Sequence, residues 1–171
     1  MIDVWTVIRR ADMIKGKRSI GNRWVFKKKR NGVFRARLVG KGYHQIPGVD
    51  YEDSFAPVVN DVTLRSILVL YLQHEEWTMI GLDIVTAFLY GVLDEVVYMD
   101  IPDGFFELCP QVGEYFPTDE LVLSLNKTIY GVVQAARAFN KEFNKCLESF
   151  KNSLEALLTH VSTSERMKKE L

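Results

Sequence analysis

The dipeptide Asn31-Gly32 constrains this chain more than any other feature. It lies between two β-rich runs, Arg23-Trp24-Val25-Phe26-Lys27-Lys28-Lys29 and Val33-Phe34-Arg35-Ala36-Arg37-Leu38-Val39. Asn-Gly tolerates the positive φ that tight hairpin turns need, so the two runs should pair antiparallel. Side chains two apart share one face of a strand. Arg35 and Arg37 therefore project together, as do Lys27 and Lys29 on the partner strand. Four cations so placed suit a phosphate clamp, and arginine binds phosphate bidentately. Trp24, Phe26 and Phe34 interleave with them, suited to packing beneath or stacking on bases. The commoner meaning of such a patch is a solvated edge hairpin whose lysines guard against aggregation.

Charge along the 171 residues is segregated although the total is zero, with 22 basic and 22 acidic side chains. Residues 1–42 hold 13 basic against 2 acidic residues, and residues 43–120 hold 15 acidic residues and one basic residue, Arg65. A basic block beside an acidic one suggests a polyanion-binding part next to a cation-binding or merely acidic part. The longest apolar run, Ile67–Leu72, is far too short to span a membrane. Arg9, Arg10 and Asp12 interrupt any signal-peptide pattern, so no membrane partner and an intracellular setting are expected. Cys109 and Cys146 lack metal spacing and fit a reducing compartment, and His44, His74 and His160 form no zinc pattern.

Around the hairpin the pattern predicts an α+β fold with mostly antiparallel strands and two main helices. Strands are expected at Val4–Ile8, Thr78–Ile84, Val96–Met99 and Leu121–Leu125. A helix should start near Asn60, Asp61 or Thr63 and run to about Glu76, with Leu64, Ile67, Leu68, Tyr71 and Leu72 at helical spacing. A second should cover Gln134–Phe150, and a short third Ser153–Val161.

Asp83 ends the apolar run Thr78–Ile84, and a lone carboxylate there must be capped, paired or functional. Mg²⁺ binds through one or two carboxylates plus substrate phosphates, so Asp83 is a candidate ligand. The competing reading is a carboxylate that caps the turn at Thr86–Phe88. Two-metal phosphoryl transfer needs further carboxylates. No Asp follows Asp119, and no Asp-Asp pair occurs in the sequence.

Taken in order, seven blocks resemble the reverse transcriptase of copia-type LTR retrotransposons. They are Ile20–Lys27, Arg35–Gln45, Gly48–Val58, Thr63-Leu64-Arg65, Leu82–Gly91, Glu95–Met99 with Pro102–Phe105, and Leu125–Arg137. The resemblance runs from about Trp5 to about Phe143. It implies a partial right-hand polymerase: the fingers hairpin plus the first part of the palm. The implied division is fingers at 1–58, the first part of the palm with the Asp83 strand at 59–91, a return to the fingers at 92–133, a palm helix at 134–150, and a divergent tail at 151–171.

The resemblance also implies roles. Asp83 matches the first catalytic, metal-binding aspartate, with Ile84 lending its carbonyl. Phe88 matches the position under the incoming sugar. Arg35 and Arg37, with Lys27 beside them, match cations near the triphosphate. Tyr130, Gly131 and Gln134 match the lining of the nucleotide and template pocket. RNA template, DNA primer and dNTP are the implied partners, together with the remainder of a Pol polyprotein, and Mg²⁺ the implied cofactor.

The departures bear on activity. The family's Asp-Asp pair on the palm hairpin is missing, and Ala136, Val133 and Phe139 replace its Pro, Lys and Trp. The expectation is nucleotidyl-transfer ancestry without activity of the chain alone. The alternatives are a non-catalytic nucleic-acid-binding remnant and a product with no function.

Overall fold

A computed structural model describes residues 3–81, 83–110 and 117–169. Its centre is β6, Leu121–Lys127, whose apolar residues Leu121, Val122, Leu123 and Leu125 are all buried. Such a strand needs cover on both sides, and it has it. β1, Trp5–Arg9, pairs antiparallel along one edge, and β5, Val92–Met99, pairs antiparallel along the other. A two-residue strand β2, Ser19–Ile20, then adds parallel to the end of β5, giving the order β1-β6-β5-β2. Ile20, Val97, Met99, Val122, Leu123 and Ile129 are fully buried here. The hairpin forms a separate two-stranded sheet of β3, Asn22–Lys28, and β4, Phe34–Gly40.

Helix α1, Asp61–Gln73, starts where the sequence places it. The Asn60 side chain accepts a hydrogen bond from the Val62 amide, which satisfies one of the orphan donors of the first turn. Its apolar residues find no core, however. Val62, Leu64, Ile67, Leu68, Val69, Leu70 and Leu72 are all exposed, and no residue of the helix is buried. A one-turn helix α2, Phe105–Leu108, tucks Phe105 into the sheet's core.

Two expectations are corrected. Thr78–Ile84 is not a buried strand. Apart from Leu82, which lies outside the described residues, it is exposed non-regular chain without a ladder partner. An apolar run becomes a buried strand only beside other strands, and the sheet ends at β1 and β2. The separate short helix at Ser153–Val161 is instead part of α3, Ala135–Lys169. No Gly or Pro interrupts residues 135–169, and the Ser153 hydroxyl donates to the Ser149 carbonyl inside the helix. Along residues 135–150 its apolar stripe is packed at the start and bare further on: Ala135 and Ala138 are buried, and Phe143, Leu147 and Phe150 are exposed. The fold is α+β as expected, with one parallel ladder among antiparallel ones. Among the described residues no helix is long and apolar enough to cross a membrane.

Candidate nucleic-acid interface

The hairpin closes through a three-residue loop. The Gly32 amide donates to the Lys29 carbonyl, the Lys29 amide donates to Val33, and Gly32 carries a φ of +82°. A type I turn followed by a left-handed glycine is the standard three-residue closure. The register then sorts the side chains, because residues directly opposite point to the same side. Lys27 faces Arg35, and Val25 faces Arg37. Like charges directly opposite cost stability, about 0.2–1 kcal/mol. Among the described residues no carboxylate pairs with Lys27, Arg35 or Arg37. The strands thus hold a cluster of positive charge that no carboxylate among the described residues pairs with.

Arg37 is positioned by a close backbone crossing. The Gly40 amide donates to the Tyr130 carbonyl at 2.8 Å, and the Gly42 amide donates to the Gly131 carbonyl at 3.1 Å. A Cβ on Gly42 would sit under 3.0 Å from the Gly131 carbonyl oxygen, and one on Gly131 equally close to that of Gly40. Real Cβ atoms do not approach backbone so closely, so both positions require glycine. The crossing brings the Arg37 guanidinium 4.9 Å from the Tyr130 ring centroid, within cation–π range. Its Nε is buried without a hydrogen-bond partner.

Behind the crossing lies a buried amide lock that the sequence did not reveal. Gln45 accepts from the Val133 amide at 2.9 Å and donates to Gln134 at 2.9 Å, and Gln134 donates to the Asp50 carbonyl at 3.1 Å. Gln134 is only 3% exposed, so its amide positions the loop rather than reaching outward.

Phe88 arrives from the other side. It lies in the 3-10 turn Ala87–Tyr90, preceded by Thr86 with a φ of 56°. Its carbonyl accepts from the Thr128 hydroxyl, and its ring meets Tyr130 edge-on at 5.3 Å and Phe139 at 6.3 Å. Gly91 permits this approach, since a Cβ there would collide with Thr128 and the Phe139 amide. The result is a cleft of about 210 Å³ whose walls include Arg35, Arg37, Thr86, Leu89 and Tyr130. Arg35, Arg37 and Tyr130 are thus gathered at one place, with Phe88 and Gly131 directly behind.

Asp83 and Ile84 are not part of that wall. Asp83 is exposed, and Ile84 borders a different, largely apolar cleft of about 390 Å³ with Tyr90, Phe139 and Phe143. Among the described residues no three His, Cys, Asp or Glu side chains are grouped to hold a metal ion. The donor set around Asp83 therefore does not fit a pair of Mg²⁺ ions.

A second feature beyond the sequence reading is an ion network. Arg137 reaches Asp53 at 3.2 Å and Asp94 at 3.3 Å, and Lys141 reaches Asp94 at 2.8 Å. The Lys141 hydrogen bond, with the charges of Lys141 and Arg137, holds the Asp94 carboxyl below its usual range. The Phe55 amide, followed by Arg137, does the same for Asp53. The spacing of Arg137 and Lys141, one helical turn apart, was the available signal.

Comparison with known proteins is consistent with this geometry. A family model described as reverse transcriptase (RNA-dependent DNA polymerase) matches residues 2–161. Among curated proteins, the retrovirus-related Pol polyprotein from transposon TNT 1-94 of Nicotiana tabacum is 37% identical over 148 residues, covering 81% of this chain and 10% of the polyprotein. The corresponding polyprotein from transposon RE2 of Arabidopsis thaliana is 38% identical over 133 residues, covering 75% of this chain and 8% of the polyprotein. That from transposon RE1 is 37% identical over 133 residues with the same coverage. The chain spans about a tenth of the length of these relatives. No solved structure gives a significant match.

Proposed function

Because this chain belongs to the reverse transcriptase (RNA-dependent DNA polymerase) family, we propose that it is the fingers and first palm part of a copia-type polymerase. Its own contribution is to grip phosphates of a template–primer or a dNTP. The division at 1–58, 59–91, 92–133 and 134–150 belongs to the same proposal. The observation that carries it is the cleft where uncompensated Arg35 and Arg37 meet Tyr130. Positioned charge is what phosphoryl-transfer proteins supply to phosphates.

The family's chemistry uses divalent metal ions. Among the described residues Asp83 belongs to no group of three or more His, Cys, Asp or Glu side chains that could hold a metal ion. On this reading the chain by itself binds and does not extend a primer. The unpartnered apolar side of α1 supports the second part of the reading: the remainder of a Pol polyprotein packs there and completes the palm.

The test is the affinity of the 171-residue chain for an RNA–DNA hybrid, compared with the variant R35A/R37A. Loss of two phosphate contacts should weaken binding at least tenfold at physiological salt. Equal affinity in the variant sinks the proposal. Template-dependent extension by the pure chain would overturn the non-catalytic part.

A further inference from the structure

A series of ties joins residues 40–53 to residues 130–137, in the same order along both segments. Gly40 meets Tyr130 and Gly42 meets Gly131 at the backbone crossing. Gln45 then meets Val133 and Gln134, and Asp50 meets Gln134. Asp53 closes the series on Arg137 at 3.2 Å. The crossing that brings Arg37 to Tyr130 thus stands at one end, and an ion pair stands at the other.

Neither segment has slack between its ends. The Gln45 amide donates to the Gly42 carbonyl, the Val49 and Asp50 amides to Ile46, and the Gly48 amide to Tyr51. The Asp50 carboxylate accepts from the Ile46 amide, and Gln45 and Asp50 are buried. On the other segment the Ala135 amide donates to Val132 and the Ala138 amide to Gln134. Contiguous hydrogen bonds of this kind carry a displacement from one end to the other.

The far end is fixed to the central sheet. Arg137 also reaches Asp94 at 3.3 Å, and Lys141, one turn along α3, reaches Asp94 at 2.8 Å. Asp94 lies on β5, which pairs with β6. A guanidinium presents its donors in a rigid fork that serves two carboxylates at once, which an ammonium does not. Arg137 is therefore the junction of loop, helix and sheet, although it does not line the cleft beside Tyr130. Its pairs are poor stabilising elements, because their side chains are 37% to 56% exposed and pairs so exposed add little to folding. What the fork supplies is position.

We infer that Arg137 is a positioning residue for the phosphate-gripping cleft: through Asp53 and Asp94 it holds the far end of these ties, and with it the approach of Tyr130 to Arg37. The inference rests on the proposed function in taking that cleft as the phosphate site.

The test measures the affinity of the full chain for an RNA–DNA hybrid at fixed salt, in wild type, D53N, D53E, D61N and R35A/R37A. D53N removes the charge of Asp53 and keeps an oxygen for the Phe55 amide. It also removes a negative charge from a protein that binds a polyanion, so electrostatics alone predicts equal or tighter binding. Positioning predicts the opposite sign, with D53N about two- to fivefold weaker, the factor that one partly solvated ion pair can supply. D53E keeps the carboxylate and should recover most of the loss. D61N removes the same charge from the exposed Asp61–Arg65 pair on α1 and should not weaken binding. Asp53 is exposed, so the melting temperatures of D53N and D53E should stay within about 4 °C of wild type. D53N binding as tightly as wild type or tighter, with R35A/R37A weakened, overturns the inference and leaves the proposed function standing. D53E as weak as D53N, or D61N equally weakened, also overturns it. Equal affinity in R35A/R37A removes the proposed function itself.

Discussion

Replacing Gly131 by alanine tests the crossing that delivers Tyr130 to Arg37, and Gly16 provides its control. Both glycines adopt a left-handed backbone, with φ of +87° and +88°. An L-residue there costs about 1–2 kcal/mol. At Gly16 a new Cβ meets nothing within 4 Å, so that strain is the whole effect. At Gly131 the Cβ lands on the Gly40 carbonyl and the Val39 side chain. The two segments must separate, breaking the hydrogen bonds from Gly40 to Tyr130 and from Gly42 to Gly131. Those add about 1 kcal/mol each, so G131A should lose about 3–4 kcal/mol. Domains of this kind hold only about 5–15 kcal/mol. Urea unfolding followed by far-UV circular dichroism reads the difference. With a slope of about 2 kcal/mol per molar, the midpoint should fall by roughly 1.5–2 M in G131A and by under ~1 M in G16A. The hybrid affinity should also drop in G131A alone, because Tyr130 leaves the guanidinium. Equal midpoints and equal affinities in the two variants would refute the reasoning.

Other perturbations have equally definite outcomes. Met99→Ala, in the fully buried core, should cost about 2–5 kcal/mol in the same urea assay, whereas Leu72→Ala on the bare side of α1 should change it by under ~0.5 kcal/mol. Q134L should cost about 1–3 kcal/mol, because Gln45 and the Asp50 carbonyl lose a buried partner. Asp94 has a carboxyl pKa lowered chiefly by Lys141, so its contribution is fully present above the unfolded carboxylate value near 3.8 and is lost as pH falls through the lower folded value. Thermal melts between pH 7 and 3 should show D94N losing less stability on acidification than wild type, by under ~1 kcal/mol because the pair is partly solvated.

How much of this was legible depended on whether neighbours were needed. The hairpin announced itself through Asn31-Gly32 and alternating cations, since turn chemistry and strand period are local. The N-cap at Asn60 was legible for the same reason. Thr78–Ile84 misled because an apolar run looks alike whether strands flank it or not, and here none bonds to it. The helix continues past Phe150 because no breaker residue stands there, and the absence of a stop signal is weaker to read than its presence. Arg35, Arg37 and Tyr130 were each named from sequence blocks, but their meeting depends on Gly42 and Gly131 crossing at contact distance, across ninety residues of chain. The Gln45–Gln134 lock had no signal at all, since buried glutamines look like surface ones until their partners are known.

The central claim is that uncompensated cations at the cleft grip phosphates. The most direct measurement is the salt dependence of RNA–DNA hybrid binding by wild type and by R35A/R37A. Each phosphate contact contributes about 0.9 to the slope of log affinity against log salt on a duplex. The wild-type slope should be steep and negative, and the variant's shallower by about two. A flat wild-type slope, or an identical slope in both proteins, would contradict the claim.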